Sequence, residues 1–307
     1  VRVYNLNEIK NSLKELREEQ FTFEREIQRI VEMNLELLFG LEFVKSEFDL
    51  HGLRIDTLAF NREDMSFVII EYKRDRNFSV IDQGIAYLNL MLNNKADFIL
   101  EYNETARNKS NINRNDLDWS QSRVIFIAPE FTRYQQHAIG FRDLGIQLFE
   151  VHKYANGVIV LDENKPFYKT ESFSTIARKD SQLKRVSEEI KVYNEEDLLG
   201  LADDNTKELY RQLKSSILNL GPDVEVRPTK KYIAFRRNKG FVGLVILSSK
   251  IKAYLSLEID ELNDPARRAR DVHKIGHYSP GDVEVTISDQ TDIPYLVDLV
   301  RQAYQCN

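Results

Sequence analysis

The chain is short of the residues that mark stapled, spanning or repetitive proteins. Its only cysteine is Cys306, which excludes an intrachain disulfide and any cysteine-based zinc cluster and fits a reducing compartment. Seven prolines and twelve glycines in 307 residues form no low-complexity tract, and no internal repeat is visible. No apolar run approaches the roughly 20 residues needed to cross a bilayer. The opening Val1-Arg2-Val3-Tyr4-Asn5-Leu6-Asn7 has none of the apolar core of a signal peptide. The expectation is a cytoplasmic protein with no membrane partner. Positive charge is not in excess either: 43 Lys and Arg against 49 Asp and Glu leave a net charge of −6. That argues against a chain coated in nucleic acid, while leaving room for local basic clusters that grip phosphate.

What is present is an ordinary globular composition, 42% hydrophobic and 30% charged, in a chain long enough for two cores. The charged segment from about Asn7 to Glu19, with Leu13 and Leu16 on one helical face, reads as a peripheral helix or arm. Phe23, Ile27, Ile30, Val31, Asn34, Leu35 and Leu38 recur at helical spacing before a C-capping Gly40. Strands follow over Leu41–Phe48, Leu53–Phe60 and Met65–Tyr72, joined by turns at Asp49-Leu50-His51-Gly52 and Asn61-Arg62-Glu63-Asp64. A helix is expected over Val80–Leu92, strands over Ala96–Leu100, Arg123–Ala128 and Ile146–Val151, and a helix over Thr132–Leu144. The fold class is α/β: a mixed sheet flanked by helices, plus a smaller C-terminal α+β domain. The expected division is a domain over 1–165, a polar linker over 166–194 with a short helix near Val186–Val192, and a second domain over 195–307. That second domain begins with one or two helices over Glu196–Leu220 and ends with an amphipathic helix over Ile293–Tyr304. Between them lie strands near Val224–Arg227, Lys231–Arg236, Phe241–Ser248, Lys252–Glu258 and Asp282–Ile287.

Chemistry concentrates in Arg54-Ile55-Asp56 and, one strand later, Ile69-Ile70-Glu71-Tyr72-Lys73. Residues two apart on a strand share a face, so Glu71 and Lys73 project together while Tyr72 points away. Asp56 lies on the preceding antiparallel strand, within reach of Glu71 across a short turn. Two hard oxygen donors on rigid strands suit Mg²⁺ or Mn²⁺, and such an ion lowers the pKa of bound water and neutralises charge on phosphate. Lys73 is placed to orient that water or to stabilise the transition state. On the helix upstream, either Glu32 or Glu36 could add a third carboxylate. A bare Glu-x-Lys decides nothing, since Glu163-Asn164-Lys165 and Glu189-Ile190-Lys191 match it too; the apolar strand, the paired Asp and the following helix set Glu71 and Lys73 apart. The competing reading is a cross-strand ion pair with Asp56 as a surface charge. Against it stands the cost of three charged groups on otherwise apolar strands.

An upstream helical Glu, an Ile-Asp strand, a Glu-x-Lys strand and a helix carrying a Gln resemble the PD-(D/E)xK nuclease superfamily, and the Arg-Ile-Asp and Ile-Glu-Tyr-Lys-Arg wording is similar to its branch of small prokaryotic DNA endonucleases. The resemblance spans roughly residues 22 to 155 and implies a restriction-endonuclease-like fold. It implies Asp56 and Glu71 as ligands of Mg²⁺ or Mn²⁺, Lys73 as the catalytic lysine, Glu36 in preference to Glu32 as the accessory carboxylate, and Gln83 as a substrate or water contact. It departs from the pattern at Ile55, where the superfamily often has proline. The second domain resembles an uncharacterised α+β module found after such nuclease domains, through Ile275-Gly276-His277 and the helix from Tyr295 to Tyr304; that likeness brings no activity with it.

The function expected is metal-dependent hydrolysis of phosphodiester bonds, with DNA as partner. The alternative is a catalytically silent nuclease fold that binds DNA or protein. Arg74 and Arg76 beside the site, and Lys230, Lys231, Arg236 and Arg237 interleaved with Tyr232 and Phe235, are candidate nucleic-acid contacts. Arg107, Lys109 and Arg114 in the long polar connection are weaker candidates. Arg267, Arg268, Arg270, His273, Lys274 and His277 form a second basic cluster, better suited to phosphate or solvent than to a metal. Double-strand cleavage would favour a homodimer, but no self-complementary surface is legible in the sequence.

Overall fold

The computed structural model describes residues 2–7, 9–74, 79–105, 111–140, 144–165, 181–237, 239–275, 279 and 281–307. By its internal contacts the chain divides into one unit of Val1–Asn61 with Met65–Lys191, and another of Arg62–Asp64 with Val192–Asn307.

The first unit opens with a hairpin, β1 (Tyr4–Asn7) against β2 (Ser12–Glu15); β2 falls within the segment from Asn7 to Glu19 expected as a peripheral helix or arm. Asn7 Oδ1 accepts the Lys10 amide at 3.1 Å and Asn11 takes a left-handed φ of 46°. An Asx-type turn of this kind competes with helix, and two leucines three apart are too short a pattern to resist it. β3 (Glu18–Glu19) then joins the edge of the main sheet.

That sheet runs β3-β8-β7-β6-β5-β4, with β9 also paired to β8. β4 (Glu42–Leu50), β5 (Leu53–Asn61) and β6 (Ser66–Tyr72) form an antiparallel meander. β7 (Arg123–Ala128) and β8 (Ile146–Tyr154) extend it in parallel. β6 is buried along its whole length, as its nearly unbroken apolar sequence requires of a central strand. β9 (Val158–Glu163), which returns antiparallel along β8, has no counterpart among the expected strands.

Alternation along β5 and β6 assigns each side chain to one of two apolar layers. Leu58, Phe60, Phe67 and Ile69 belong to a core shared with α3 (Val80–Asn93) and α4 (Lys95–Thr105). Ala59, Val68, Ile70 and Tyr72 belong to the layer under α1 (Glu24–Met33) and α2 (Leu35–Phe39). The expected single upstream helix is thus two: the chain breaks at Asn34, whose φ of −130° leaves the helical region and whose side-chain amide donates back to Ile30 O. α2 then ends on Gly40 at φ 63°.

Residues 96–100, expected as a strand, lie inside α4. Phe98 and Tyr102, one turn apart, both turn to the core, Phe98 against Phe48 and Phe67 and Tyr102 against Phe60. So short an apolar run has no period of its own, and tertiary packing chose the helix. Of the helix expected over Thr132–Leu144, the described residues form α5 (Arg133–Ala138), started by a Thr132–Gln135 capping box. The helix Ser181–Glu189 lies within the stretch read as a linker, yet Val186 and Ile190 are buried in the first unit's core.

The second unit holds an antiparallel sheet of order β10-β11-β12-β13-β15-β14, built from Glu225–Pro228, Ile233–Arg236, Gly240–Ile246, Ile251–Leu255, Arg270–Asp271 and Val283–Ile287 for β10 to β15 in chain order. One face carries Ile233, Phe235, Leu244, Ala253 and Val285, closed by the helices Asp204–Leu218 and Ile293–Cys306 through Leu209, Leu213, Leu296 and Val300. The architecture is therefore a mixed α/β sheet followed by a sheet-rich α+β unit.

Candidate active site

The β5–β6 pairing sets Thr57 opposite Ile70, so Asp56 and Glu71 fall on the α3 face of the sheet and Thr57 and Tyr72 on the α1 face. Asp56 Oδ2 accepts the backbone N–H of Tyr72 at 3.0 Å. That single bond draws the carboxylate against the neighbouring strand beside Glu71. Glu71 is buried, and its Oε1 accepts from Lys73 Nζ at 2.7 Å and from Gln83 Nε2 at 2.8 Å. Its other oxygen, Oε2, is buried with no hydrogen-bond partner among the described residues.

Gln83 reaches Glu71 because of where α3 begins. Ser79 caps the helix, accepting the Asp82 amide, and Gln83 stands in the first turn. Gly84 permits the close approach: a Cβ there would meet Ile146 Cδ1 at 2.3 Å. One turn further on, Tyr87 receives Gln83 Nε2 at 3.2 Å and donates to Arg54 O at 3.1 Å. Tyr87 was absent from the sequence candidates, although its i, i+4 spacing from Gln83 places it on the same helical face. Burial first, and then the charge of Glu71, push its phenol well above the ordinary range.

Asp56 is pushed up to about 6 from an ordinary 3.8. Burial is the largest cause and the charge of Glu71 the next; the Tyr72 amide and Lys73 oppose them, and Glu24 adds a little more repulsion. An aspartate pushed up by burial and by a neighbouring carboxylate calls for positive charge beside it.

The upstream glutamates are placed differently from expectation. Glu36, the preferred accessory carboxylate, is exposed on α2, beyond the break at Asn34, so the helical phase that would have carried it toward the sheet is lost. Glu32 is held on the far face of the sheet, accepting from Thr57 Oγ1 at 2.6 Å and Gln28 Nε2 at 3.1 Å. The α1 carboxylate whose charge acts on Asp56 is Glu24 in the first turn. Its Oε1 accepts the Arg74 amide at 2.9 Å and so fixes the chain just after Lys73.

Among the described residues, no group of three or more His, Cys, Asp or Glu side chains is arranged to enclose a metal ion. Asp56 and Glu71 nonetheless suit a hard divalent cation. Mg²⁺ is commonly held by one or two carboxylates, with water and substrate phosphate completing its shell. The unpartnered Glu71 Oε2 beside a destabilised Asp56 is a donor pair of that kind.

The basic candidates are for the most part already engaged. Arg74 is exposed and donates through Nη1 to Thr22 O at 2.8 Å, and Arg76 lies outside the described residues, as do Arg107, Lys109 and His277. Within the second unit, Arg236 is only 9% exposed, with Nη1 3.9 Å from Glu63 Oε2. Its place on β11 turns it into the unit rather than toward a phosphate, which corrects the expectation of a nucleic-acid contact there. Arg237 is likewise committed, pairing with Asp223 at 2.6 Å and lying 5.0 Å over the Tyr304 ring. Lys230 and Lys231 are exposed. In the other basic cluster, Arg268 pairs with Asp292, Arg270 with Glu284 and His273 with Asp282.

Residues 195–307 match a domain of unknown function, DUF5655. Over 294 residues, 96% of this chain and 97% of the relative, the sequence is 43% identical to an uncharacterized protein of Haemophilus influenzae. Among solved structures, an EndoMS–dsDNA2 complex is similar over 43% of this chain and 47% of its own, at 16% identity and a TM-score of 0.29. A repair endonuclease from Pyrococcus abyssi is similar over 44% of this chain and 50% of its own, at 16% identity and a TM-score of 0.26. The likeness thus spans about half the length of each of these two chains. No helix among the described residues is long and apolar enough to cross a membrane.

Proposed function

The chain belongs to the same family as the Haemophilus influenzae protein, and we propose that it is a metal-dependent nuclease that hydrolyses phosphodiester bonds in DNA, built on the PD-(D/E)xK plan. One observation carries this reading. A buried carboxylate oxygen, Glu71 Oε2, has no hydrogen-bond partner among the described residues and lies beside an aspartate held at a pKa of about 6, and such a pair is costly until a cation joins it.

In this reading Asp56 and Glu71 hold Mg²⁺ or Mn²⁺. When bound, the ion supplies Lewis-acid neutralisation of the phosphate and water of lowered pKa. Lys73, with its ammonium on Glu71 Oε1, presents positive charge where the phosphoryl oxygens gain negative charge. Gln83 shares Glu71 Oε1 and keeps that carboxylate from rotating away. Tyr87 holds Gln83 in turn and is itself anchored on the Arg54 carbonyl. Glu24 accepts the Arg74 amide and so fixes the backbone just after Lys73.

The test is a panel of labelled duplex, single-stranded and branched DNA, with RNA beside it, incubated with Mg²⁺ or Mn²⁺. Cleavage by the wild type, absent with EDTA and absent in Glu71→Ala, is the expected result. All DNA left intact at metal concentrations where binding is saturated would sink the reading and leave a silent nuclease fold in its place.

A further inference from the structure

On the sheet face away from Asp56 and Glu71, four polar side chains meet inside an otherwise apolar layer formed by Ile27, Val31, Ala59, Val68 and Ile70. Gln28 and Glu32 stand one turn apart on α1. Thr57 is fully buried, Tyr72 is 1% exposed and Gln28 is 7% exposed. The register makes Thr57 and Tyr72 diagonal neighbours on one face, and their hydroxyls lie 3.1 Å apart. Thr57 Oγ1 donates to Glu32 Oε1 at 2.6 Å. Its lone pairs are then free for the Tyr72 hydroxyl, so the chain of donors runs from Tyr72 through Thr57 to Glu32. Gln28 Nε2 closes the group, donating to Glu32 Oε1 at 3.1 Å and to the backbone carbonyl of Asp56 at 2.9 Å.

Polar groups inside an apolar layer are worse than hydrocarbon unless they are satisfied and serve a purpose. Here both ends of the group touch the backbone around Asp56. Gln28 holds its carbonyl, and the Tyr72 residue whose hydroxyl joins the chain also supplies the N–H that holds the Asp56 carboxylate. We propose that Gln28, Glu32, Thr57 and Tyr72 are a positioning clamp, acting through the sheet from its opposite face, that fixes the Asp56 carboxylate relative to Glu71 and so sets the affinity for the divalent cation. The proposal rests on the metal-site reading above and adds four residues that touch neither cation nor phosphate. Their effect passes entirely through the peptide units of Asp56 and Tyr72.

The clamp is tested by Mn²⁺ titration calorimetry on wild type, Thr57→Val, Thr57→Ser and Asp56→Ala, with thermal denaturation of each metal-free protein alongside. Thr57→Val keeps the shape and removes both hydroxyl bonds. Its Mn²⁺ dissociation constant is expected to rise about 10- to 100-fold, the range typical of lost outer-shell support. Thr57→Ser restores the hydroxyl and is expected to return the affinity to within about threefold of wild type, and cleavage by Thr57→Val is expected to recover at high Mn²⁺ while its KM for DNA stays put. A Thr57→Val protein that melts earlier yet binds Mn²⁺ like wild type makes the clamp merely structural and overturns the proposal. Thr57→Ser binding as weakly as Thr57→Val overturns it too. If the wild type binds no Mn²⁺ and matches Asp56→Ala, the underlying metal-site reading has failed instead. Should Thr57→Val not fold, Tyr72→Phe carries the same comparison.

Discussion

Replacing Asp56 with asparagine is expected to abolish metal-dependent cleavage and, in the same protein, to raise the stability of the metal-free fold. The sign follows from the shift. Asp56 titrates near 6 in the fold against 3.8 ordinarily, so the native state holds its proton longer than the unfolded chain does. Well below the unfolded value of 3.8, at about pH 2, both states are protonated and the side chain contributes no pH dependence. As pH rises from there to 6 the unfolded state ionises first and native stability is lost, with the full deficit in force at neutral pH. A rise from 3.8 to about 6 corresponds to about 3 kcal/mol as an order of magnitude. Asparagine never ionises, and its side-chain oxygen can still accept the Tyr72 amide. At pH 7 without metal, Asp56→Asn is therefore expected to melt several degrees above wild type, and the gap should shrink steadily as pH falls through 6 and close at about pH 2, well below 3.8. Saturating Mn²⁺ should narrow or reverse the neutral-pH gap by stabilising only the wild type. Thermal melts at the two pH values, with and without Mn²⁺, read all of this. A variant less stable than wild type at pH 7 in EDTA would mean that the carboxylate pair carries no repulsion for a cation to relieve.

Lys73→Ala is expected to separate catalysis from metal binding. Lys73 donates to Glu71 Oε1, while the unpartnered oxygen is Oε2, so losing the ammonium leaves the cation's donors in place and removes a competing positive charge. Mn²⁺ should bind Lys73→Ala at least as tightly as wild type. Cleavage should fall by about 10²- to 10³-fold, the usual loss when one charge-stabilising donor is taken from a transition state. Calorimetry for the ion and single-turnover cleavage at saturating metal measure the two effects independently. Loss of Mn²⁺ binding in step with activity would show that Lys73 acts by shaping the carboxylates, and a drop under tenfold would remove it from the chemistry.

The parts of this arrangement legible in the sequence are those set by short-range rules. Alternation along Leu53–Phe60 and Met65–Tyr72, with short turns between, is enough to place Asp56 beside Glu71 and Lys73. Gln83 is legible through the resemblance, on a helix that the apolar spacing of Ile81, Ile85 and Leu88 already places after Tyr72. The remainder depends on information that is not local. The i, i+4 spacing cannot distinguish Glu32 from Glu36 unless the break at Asn34 is known, and that break is a backbone event at an unremarkable asparagine. Arg236 and Arg237 read as a basic surface because their acidic partners, Glu63 and Asp223, are remote in sequence. Residues 96–100 and Ser12–Glu15 took the other regular structure, since neither stretch has enough period to outweigh packing in one case and a turn in the other. Tyr87 was missed for a further reason: an apolar helix face reads as core, and only the position of Arg54 O shows that its hydroxyl has work there.

The meander also fixes when the two carboxylates begin to oppose each other as the chain folds. Asp56 and Glu71 meet through a hairpin, a contact of low sequence separation, whereas β6 joins β7 only across the long excursion through α3 and α4. Local pairing precedes such closure. While the hairpin stands in water its charges are screened, and their repulsion grows only when the parallel strands and α3 shut the solvent out. The opposition between them is therefore expected to arrive late, with little of it present in the folding transition state. Its relief by metal or by Asp56→Asn should appear almost wholly as slower unfolding, with the refolding arm of the chevron unmoved. Cation binding would then act as a latch on a folded chain rather than as a seed for folding it.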